Sequence, residues 1–85
     1  MAKYKIVIKK SAAKEIKKLP TYYLNKILLK IGELSENPRP VEAVKLTNEE
    51  KYRIRVDVYR ILYEIKENIL TIIVVKVRHR KDVYN

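Results

Sequence analysis

Residues 52–63 alternate between apolar and charged side chains in two adjoining stretches, which strongly limits what they can form. In an extended strand, side chains two positions apart point to the same side of the sheet. Arg53 and Arg55 therefore share one face of a predicted strand, while Tyr52, Ile54 and Val56 share the other. The alternation predicts a strand with one face for a hydrophobic core and one face for anions.

The second stretch predicts a hairpin partner for this strand. If the chain reverses at residues 57–58, Val56 lies opposite Tyr59 and Arg55 lies opposite Arg60. Like charges directly across a strand pair are destabilising. Guanidinium groups bind phosphate oxygens two at a time, so a polyanionic partner explains why Arg53, Arg55 and Arg60 converge on one surface.

The remaining periodicities predict the order of elements. Residues 3–9 alternate as a first strand, Ser11 offers an N-cap to a short helix that ends at Pro20, and a second helix follows Thr21. In the second helix an apolar stripe is predicted to face the core, formed by Leu24, Ile27, Leu28, Ile31 and Leu34. Residues 41–50 form a polar connection with Leu46 as its buried anchor, and three strands follow, at about 51–56, 59–66 and 69–79.

This order, β-α-α-β-β-β, predicts an α+β fold with two helices packed on one face of a mostly antiparallel sheet. The overall amino-acid composition shows no abrupt change along the 85 residues, so residues 1–85 are expected to form a single domain. The face of the sheet away from the helices is left for the arginines.

The last strand can be placed in two ways. A two-residue turn at Glu67 and Asn68, the interpretation favoured here, puts Leu70, Ile72 and Val74 in the core and His79 on the arginine face. A three-residue loop instead puts Lys76, Arg78 and Arg80 on that face.

The amino-acid composition excludes several classes of function and favours others. The net charge of +10 implies a polyanionic partner or an acidic protein that masks the charge, and five of the six arginines lie in the last 35 residues. With no cysteine and one histidine, neither a disulfide framework nor a metal centre is expected, and no cofactor is expected because a single glycine excludes Gly-rich phosphate loops. No apolar run approaches the roughly 18 residues of a membrane helix, so a cytoplasmic protein without membrane contact is expected.

Several short motifs together resemble the RelE/ParE superfamily of toxins from bacterial and archaeal toxin–antitoxin pairs. The resemblance covers nearly the whole chain and rests on order and spacing rather than on any single piece. The pieces are Leu19-Pro20, Asn37-Pro38, Lys45-Leu46, Tyr52-Arg53-Ile54-Arg55-Val56, Tyr59-Arg60 and His79-Arg80-Lys81-Asp82-Val83-Tyr84. The RelE branch is the most similar, because it carries paired bases on the second strand, an arginine on the third and a tyrosine near the C terminus.

Membership in that branch implies ribosome-dependent cleavage of mRNA and neutralisation by a cognate acidic antitoxin. The RNA 2′-hydroxyl then attacks the adjacent phosphate, and the protein neutralises the developing charge and protonates the leaving oxygen. The predicted catalytic residues are Arg53, Arg55, Arg60, His79 and Tyr84, and the predicted RNA-binding residues are Arg78, Arg80, Lys81 and Lys51.

At two positions this chain differs from the usual residues of the family, and the difference affects the mechanism. Arg53 and Arg55 occupy paired basic positions that are often lysine in the family, and arginine does not release its proton at working pH. His79 is the side chain with a pKa ordinarily suited to proton transfer, and it is predicted to act as general acid. Two alternatives stay open: a ParE-like inhibitor of DNA gyrase and a non-catalytic nucleic-acid-binding module.

Overall fold

The computed structural model describes residues 3–46 and 50–81. Five strands and two α-helices are present in this part of the chain. Their bounds are β1 Lys5–Ile8, α1 Lys10–Lys17, α2 Thr21–Glu36, β2 Val44–Lys45, β3 Lys51–Val56, β4 Tyr59–Lys66 and β5 Thr71–His79, with a short 3-10 turn at Glu67–Ile69.

The strands form one sheet in the order β1-β5-β4-β3-β2. β1 runs parallel to β5, and the other three pairings are antiparallel. Both helices pack on the same face of the sheet, so the predicted α+β architecture is confirmed. The strand β2 was not predicted, since two residues are too few to show alternation.

The core lies between the helices and that face of the sheet. Ala12 and Ile16 of α1 and three α2 residues meet the apolar side of the three longest strands. The α2 residues are Ile27, Ile31 and Leu34, and the strand residues are Tyr52, Ile54, Val56, Ile61, Tyr63, Ile65, Ile72, Val74 and Val77. The Tyr63 hydroxyl donates to the Pro38 carbonyl at 2.8 Å, which ties the end of α2 to the sheet.

Three local predictions are wrong. α1 begins at Lys10 with Lys9 at the N-cap, so Ser11 lies inside the first turn rather than capping it. Leu46, the expected anchor of the 41–50 connection, is 41% exposed, because the edge strand β2 carries the connection along the sheet instead. Leu28 is also largely exposed, since the buried stripe of α2 is narrower than predicted.

The turn before β5 is longer than the favoured two residues. Lys66 lies opposite Thr71, so four residues connect β4 and β5, and Leu70 in the left-handed conformation (φ 46°) is exposed rather than buried. An even number of loop residues keeps the same side chains facing the core. Ile72 and Val74 therefore point to the helices, as expected.

A β-bulge then reverses the alternation of β5 relative to β4. The register passes from Tyr63 opposite Val74 to Leu62 opposite Lys76, so Val75 is an extra residue without a partner. One extra residue moves every later side chain to the other face. Neither sequence-derived register of β5 is therefore correct along the whole strand.

Candidate anion-binding site

The hairpin between β3 and β4 positions the site. Asp57 adopts φ 59°, a left-handed conformation that Asp tolerates better than most residues, and its carboxylate accepts a hydrogen bond from Lys26 of α2 at 3.2 Å. The resulting two-residue turn sets Arg55 opposite Arg60, which confirms the predicted register.

The bulge in β5 adds a third arginine to this row. Arg78 lies opposite Arg60, so Arg55, Arg60 and Arg78 occupy adjacent positions on three neighbouring strands. All three are on the face of the sheet that the helices do not cover. Neighbouring strands are about 4.8 Å apart, so the row concentrates three positive charges within about two strand spacings.

Arg60 is the centre of the row and is 8% exposed. Its Nε is buried and has no hydrogen-bond partner among the described residues. An unpaired buried polar group typically costs about 1–3 kcal/mol. The Arg60 side chain also lines a surface cavity, where an acceptor from outside the protein can meet its guanidinium.

A cavity opens beside Arg60. It has a volume of about 440 Å³ and is lined by Arg55, Arg60, Arg80 and Lys81. Arg80 is fixed there because its backbone N–H donates to the Val58 carbonyl at 2.8 Å. Every lining residue is cationic, so the cavity suits a phosphate group.

Two predicted residues of β3, Arg53 and Lys51, lie outside this cavity, and neither Arg78 nor His79 lines it. Arg53 is on the same face but opposite Leu62, one step further along β3. Lys51 lies opposite Glu64, and it is four positions along the strand from Arg55, a distance of about 13 Å. These two side chains extend the basic face away from the cavity.

His79 is not on the arginine face, contrary to the favoured prediction. The bulge turns it towards the helices, where it lies opposite Tyr59 with ring centroids 5.2 Å apart in an edge-to-face arrangement. Tyr59 in turn contacts Tyr23 of α2. The His79 Nδ1 accepts a hydrogen bond from the backbone N–H of Lys81 at 3.1 Å. His79 thus holds the backbone that carries Lys81 into the cavity.

Tyr84, predicted to be catalytic, lies outside the described residues. Within residues 3–46 and 50–81 no group of three or more His, Cys, Asp or Glu side chains is arranged to hold a metal ion. No helix in the described part of the chain is long and apolar enough to cross a membrane.

Lys76 is a residue that the favoured register did not place on the arginine face. It lies there opposite Leu62, beside Arg78, because the bulge precedes it. The other sequence-derived register had placed Lys76 there. The pattern itself contained no signal for a bulge, since residues 72–75 are uniformly apolar.

The fold is shared with solved toxin structures. A chain of the RelBE2 toxin–antitoxin complex from Mycobacterium tuberculosis matches with a TM-score of 0.81 and 28% identity, covering 94% of each chain. A chain of the RelB–RelE complex from Methanococcus jannaschii matches with a TM-score of 0.72 and 31% identity, covering 92% of this chain and 94% of that one. The archaeal RelE–RelB complex from Pyrococcus horikoshii gives 0.81 and 25%, covering 92% and 96%.

A comparison with the sequences of curated proteins finds no match. A family model described as the ParE toxin of the type II toxin–antitoxin system parDE matches residues 6–84, which is nearly the whole chain. The family match and the fold agree with the resemblance noted in the sequence. The chain belongs to the RelE/ParE superfamily of toxins from type II toxin–antitoxin systems.

Proposed function

We propose that this toxin is a metal-independent endoribonuclease that cleaves mRNA on the ribosome. The observation that carries the proposal is the buried Arg60 guanidinium, whose Nε lacks a partner among the described residues and which lines an all-cationic cavity. A preorganised donor in a water-poor site stabilises charge that develops in a transition state far better than a solvated one does. The similarity to solved RelE proteins supports the same function.

In this mechanism the adjacent 2′-hydroxyl attacks the phosphate and loses its proton, the bond from phosphorus to the 5′-oxygen breaks, and the leaving 5′-oxygen gains a proton. The arginine row neutralises the charge that develops on the phosphate. Arg60 binds a phosphate oxygen, and Arg55 and Arg80 complete the charge around it. Arg53, Lys51 and Arg78 bind RNA on either side of the cavity. Tyr84 stacks on a base or orients the phosphate, as single-stranded RNA commonly requires.

The test is primer-extension mapping of an mRNA on purified ribosomes, with and without the protein. The Arg60→Met variant keeps the volume of the side chain and removes the guanidinium. Lys66→Met is a matched control, since Lys66 lies on the same strand and face but at the far end. Cleavage by wild type and by Lys66→Met, with cleavage by Arg60→Met lowered by about 10²–10³, supports the proposal. Intact mRNA with the wild-type protein excludes it.

A ParE-like action on DNA gyrase is the second candidate, because the matching family model is named for ParE. It requires no phosphate-binding cavity, so the Arg60→Met variant should retain it. A supercoiling assay with purified gyrase, run with the same three proteins, distinguishes the two. A non-catalytic nucleic-acid-binding module would bind RNA and neither cut it nor inhibit gyrase.

We also propose that an acidic antitoxin binds this toxin. The similar proteins from Mycobacterium tuberculosis, Pyrococcus horikoshii and Methanococcus jannaschii were solved as complexes with antitoxins. Because the net charge of +10 attracts an acidic protein, the two proteins should associate quickly and bind more weakly as the salt concentration rises. Co-expression with an acidic open reading frame adjacent to the toxin gene should restore growth, and the absence of any such protective gene would contradict the toxin role.

A further inference from the structure

The two-residue turn between β3 and β4 carries an acidic residue beside the arginine row. Asp57 and Val58 form this turn. Asp57 lines a small cavity of about 40 Å³ together with Arg55, Arg60 and Arg80. The same three arginines line the larger cavity of about 440 Å³. A carboxylate therefore lies next to the groups that are proposed to bind phosphate.

The carboxylate of Asp57 pairs with a lysine rather than with these arginines. Its Oδ2 accepts a hydrogen bond from the Lys26 Nζ at 3.2 Å, and Lys26 belongs to α2, which packs on the opposite face of the sheet. In the part of the chain that the structure describes, no carboxylate forms an ion pair with Arg55, Arg60 or Arg80. The ion pair with Lys26 thus leaves these guanidinium groups free for an anion from outside.

Lys26 is itself held in place by a second contact. Its Nζ lies 4.9 Å from the centroid of the Tyr22 ring, one turn earlier on α2, in a cation–π arrangement. The side chains of Lys26 and Asp57 are both partly exposed, at 43% and 34%. An ion pair this exposed adds little to the stability of the fold. Its main effect is on the direction in which the Asp57 carboxylate points.

Without Lys26, the arginines become the nearest cations for the Asp57 carboxylate. Side chains move between staggered rotamers about 120° apart, and the partly exposed Asp57 side chain has room to do so. Guanidinium groups bind carboxylates through two parallel hydrogen bonds, the same geometry that they use for phosphate. A carboxylate in the small cavity would occupy N–H groups that a phosphate needs and would lower the positive charge there by one.

We propose that Lys26 is a positioning residue that keeps the anion-binding cavity open by holding the Asp57 carboxylate away from the arginines. Asp57 is then an internal competitor of the phosphate, and one hydrogen bond from α2 prevents the competition. The effect of Lys26 on cleavage rests on the proposed function. Its effect on anion binding rests only on the arrangement of the ion pair and the two cavities.

The test is a double-mutant cycle with inorganic pyrophosphate as the probe. Lys26→Met releases the carboxylate, Asp57→Asn removes its charge, and the double variant does both. Asn, like Asp, tolerates the left-handed conformation of this turn position, so the hairpin should be kept, which circular dichroism checks. Lys26→Arg keeps the cation. Lys30→Met is the matched control, since Lys30 lies one turn further along α2 and is ion-paired with Glu33 and Glu42.

Dissociation constants are measured by isothermal titration calorimetry at an ionic strength of about 0.15 M, which screens distant charges. If the released carboxylate pairs with the arginines as strongly as exposed ion pairs usually do, it should weaken pyrophosphate binding about 2- to 6-fold. This loss should occur in Lys26→Met and be absent when the same substitution is made together with Asp57→Asn. Lys26→Arg and Lys30→Met should bind like the wild type.

Two results would overturn the proposal. If Lys26→Met weakens binding equally with and without the Asp57 carboxylate, only the lost charge of the lysine matters. If Asp57→Asn alone weakens binding, the ion pair acts by fastening the hairpin to α2, because a competitor that loses its charge should leave the affinity unchanged or raise it.

A second measurement separates this proposal from the proposed function. In single-turnover cleavage on ribosomes, Lys26→Met should be slower than wild type, and Asp57→Asn in the same protein should restore the rate. Absence of cleavage by the wild type would refute the nuclease, while the pyrophosphate measurements would still decide the role of Lys26. Absence of pyrophosphate binding by the wild type would overturn the proposal itself, because there would be no anion site to keep open.

Discussion

Arg60 combines a cost to folding with a proposed role in phosphate binding. Its guanidinium is buried between two other arginines in the strand register, and its Nε has no partner among the described residues. Stability alone would favour an apolar residue of similar size at this position. Retaining arginine here is understandable if the missing partner is supplied by a phosphate.

The first prediction is a trade between activity and stability at this residue. Arg60→Met should lower ribosomal mRNA cleavage by about 10²–10³, the usual effect of removing one preorganised donor. It should also raise the free energy of unfolding by about 1 kcal/mol, because a buried unpaired group and a like-charge contact are removed. Kinetics and urea denaturation measure the two effects. A stability loss together with full activity would make Arg60 a structural residue only.

The second prediction concerns how His79 contributes. If it positions Lys81 through the hydrogen bond to Nδ1, His79→Asn keeps an acceptor near that place, whereas His79→Phe keeps the ring against Tyr59 and loses the acceptor. We expect cleavage to fall about 2- to 10-fold in the Phe variant, as for one hydrogen bond, and to be close to wild type in the Asn variant. General acid catalysis predicts instead a loss of about 10²–10⁴ in both.

At the scale of the elements, one residue of β5 decides which side chains of that strand join the arginine row. The bulge at Val75 places Arg78 with the arginines and His79 with the tyrosines. Bulges commonly redirect side chains next to functional sites. The arginine row thus depends on the number of residues in β5 as well as on their identity.

The third prediction tests this element. Deleting Val75 removes the extra residue, so either Lys76 and Arg78 turn towards the helices or the first half of β5 loses its register. We expect the deletion to abolish cooperative unfolding. Val75→Ala keeps the residue count and should cost only about 1 kcal/mol, the usual effect of a single substitution. Circular dichroism and urea titration of both proteins check this, and a stably folded deletion variant would show that the bulge is dispensable.

Across the whole molecule, an ion cluster at the end of the sheet opposite the cavity joins distant segments. Arg39 pairs with Glu50 and with Glu67, and the Tyr4 hydroxyl donates to Glu67 at 2.6 Å. The Tyr52 hydroxyl donates to Glu50 at 2.7 Å. Arg39 follows α2, and its partners lie in segments that are far apart in the sequence, since Glu50 precedes β3 and Glu67 follows β4. Tyr4, which precedes β1, joins the same cluster, away from the arginine row.

The fourth prediction follows from the acidity of this cluster. Hydrogen bonds from Tyr52 and Arg39 lower the pKa of Glu50, and those from Tyr4 and Arg39 lower the pKa of Glu67, below the ordinary value of 4.5. Depressed pKa values mean that this stabilisation is present above pH 4.5 and is lost as the pH falls through the lower folded-state values. Urea titrations between pH 3 and 7 should show a decline below about pH 4.5. The free energy of unfolding of the double variant Glu50→Gln, Glu67→Gln should fall less steeply with decreasing pH. If the wild type and the variant lose the same stability below pH 4.5, these two carboxylates are not responsible for the decline.

The amino-acid sequence by itself determined which segments form helices or strands and which of their side chains lie on the same face. Alternation in residues 52–63 determined the hairpin and set Arg55 opposite Arg60, because periodicity and a two-residue turn are local properties. The spacing of Ile27, Ile31 and Leu34 likewise determined the buried side of α2.

The tertiary structure alone decided how β5 faces its neighbours, because a single unpaired residue in an apolar run leaves no trace in the pattern. This one residue brought Arg78 into the arginine row and turned His79 away from it. The burial of Arg60 was also decided there, since exposure depends on neighbours from other strands rather than on the residue's own strand. A local pattern assigns a side chain to one face of its element, and only packing determines what lies opposite.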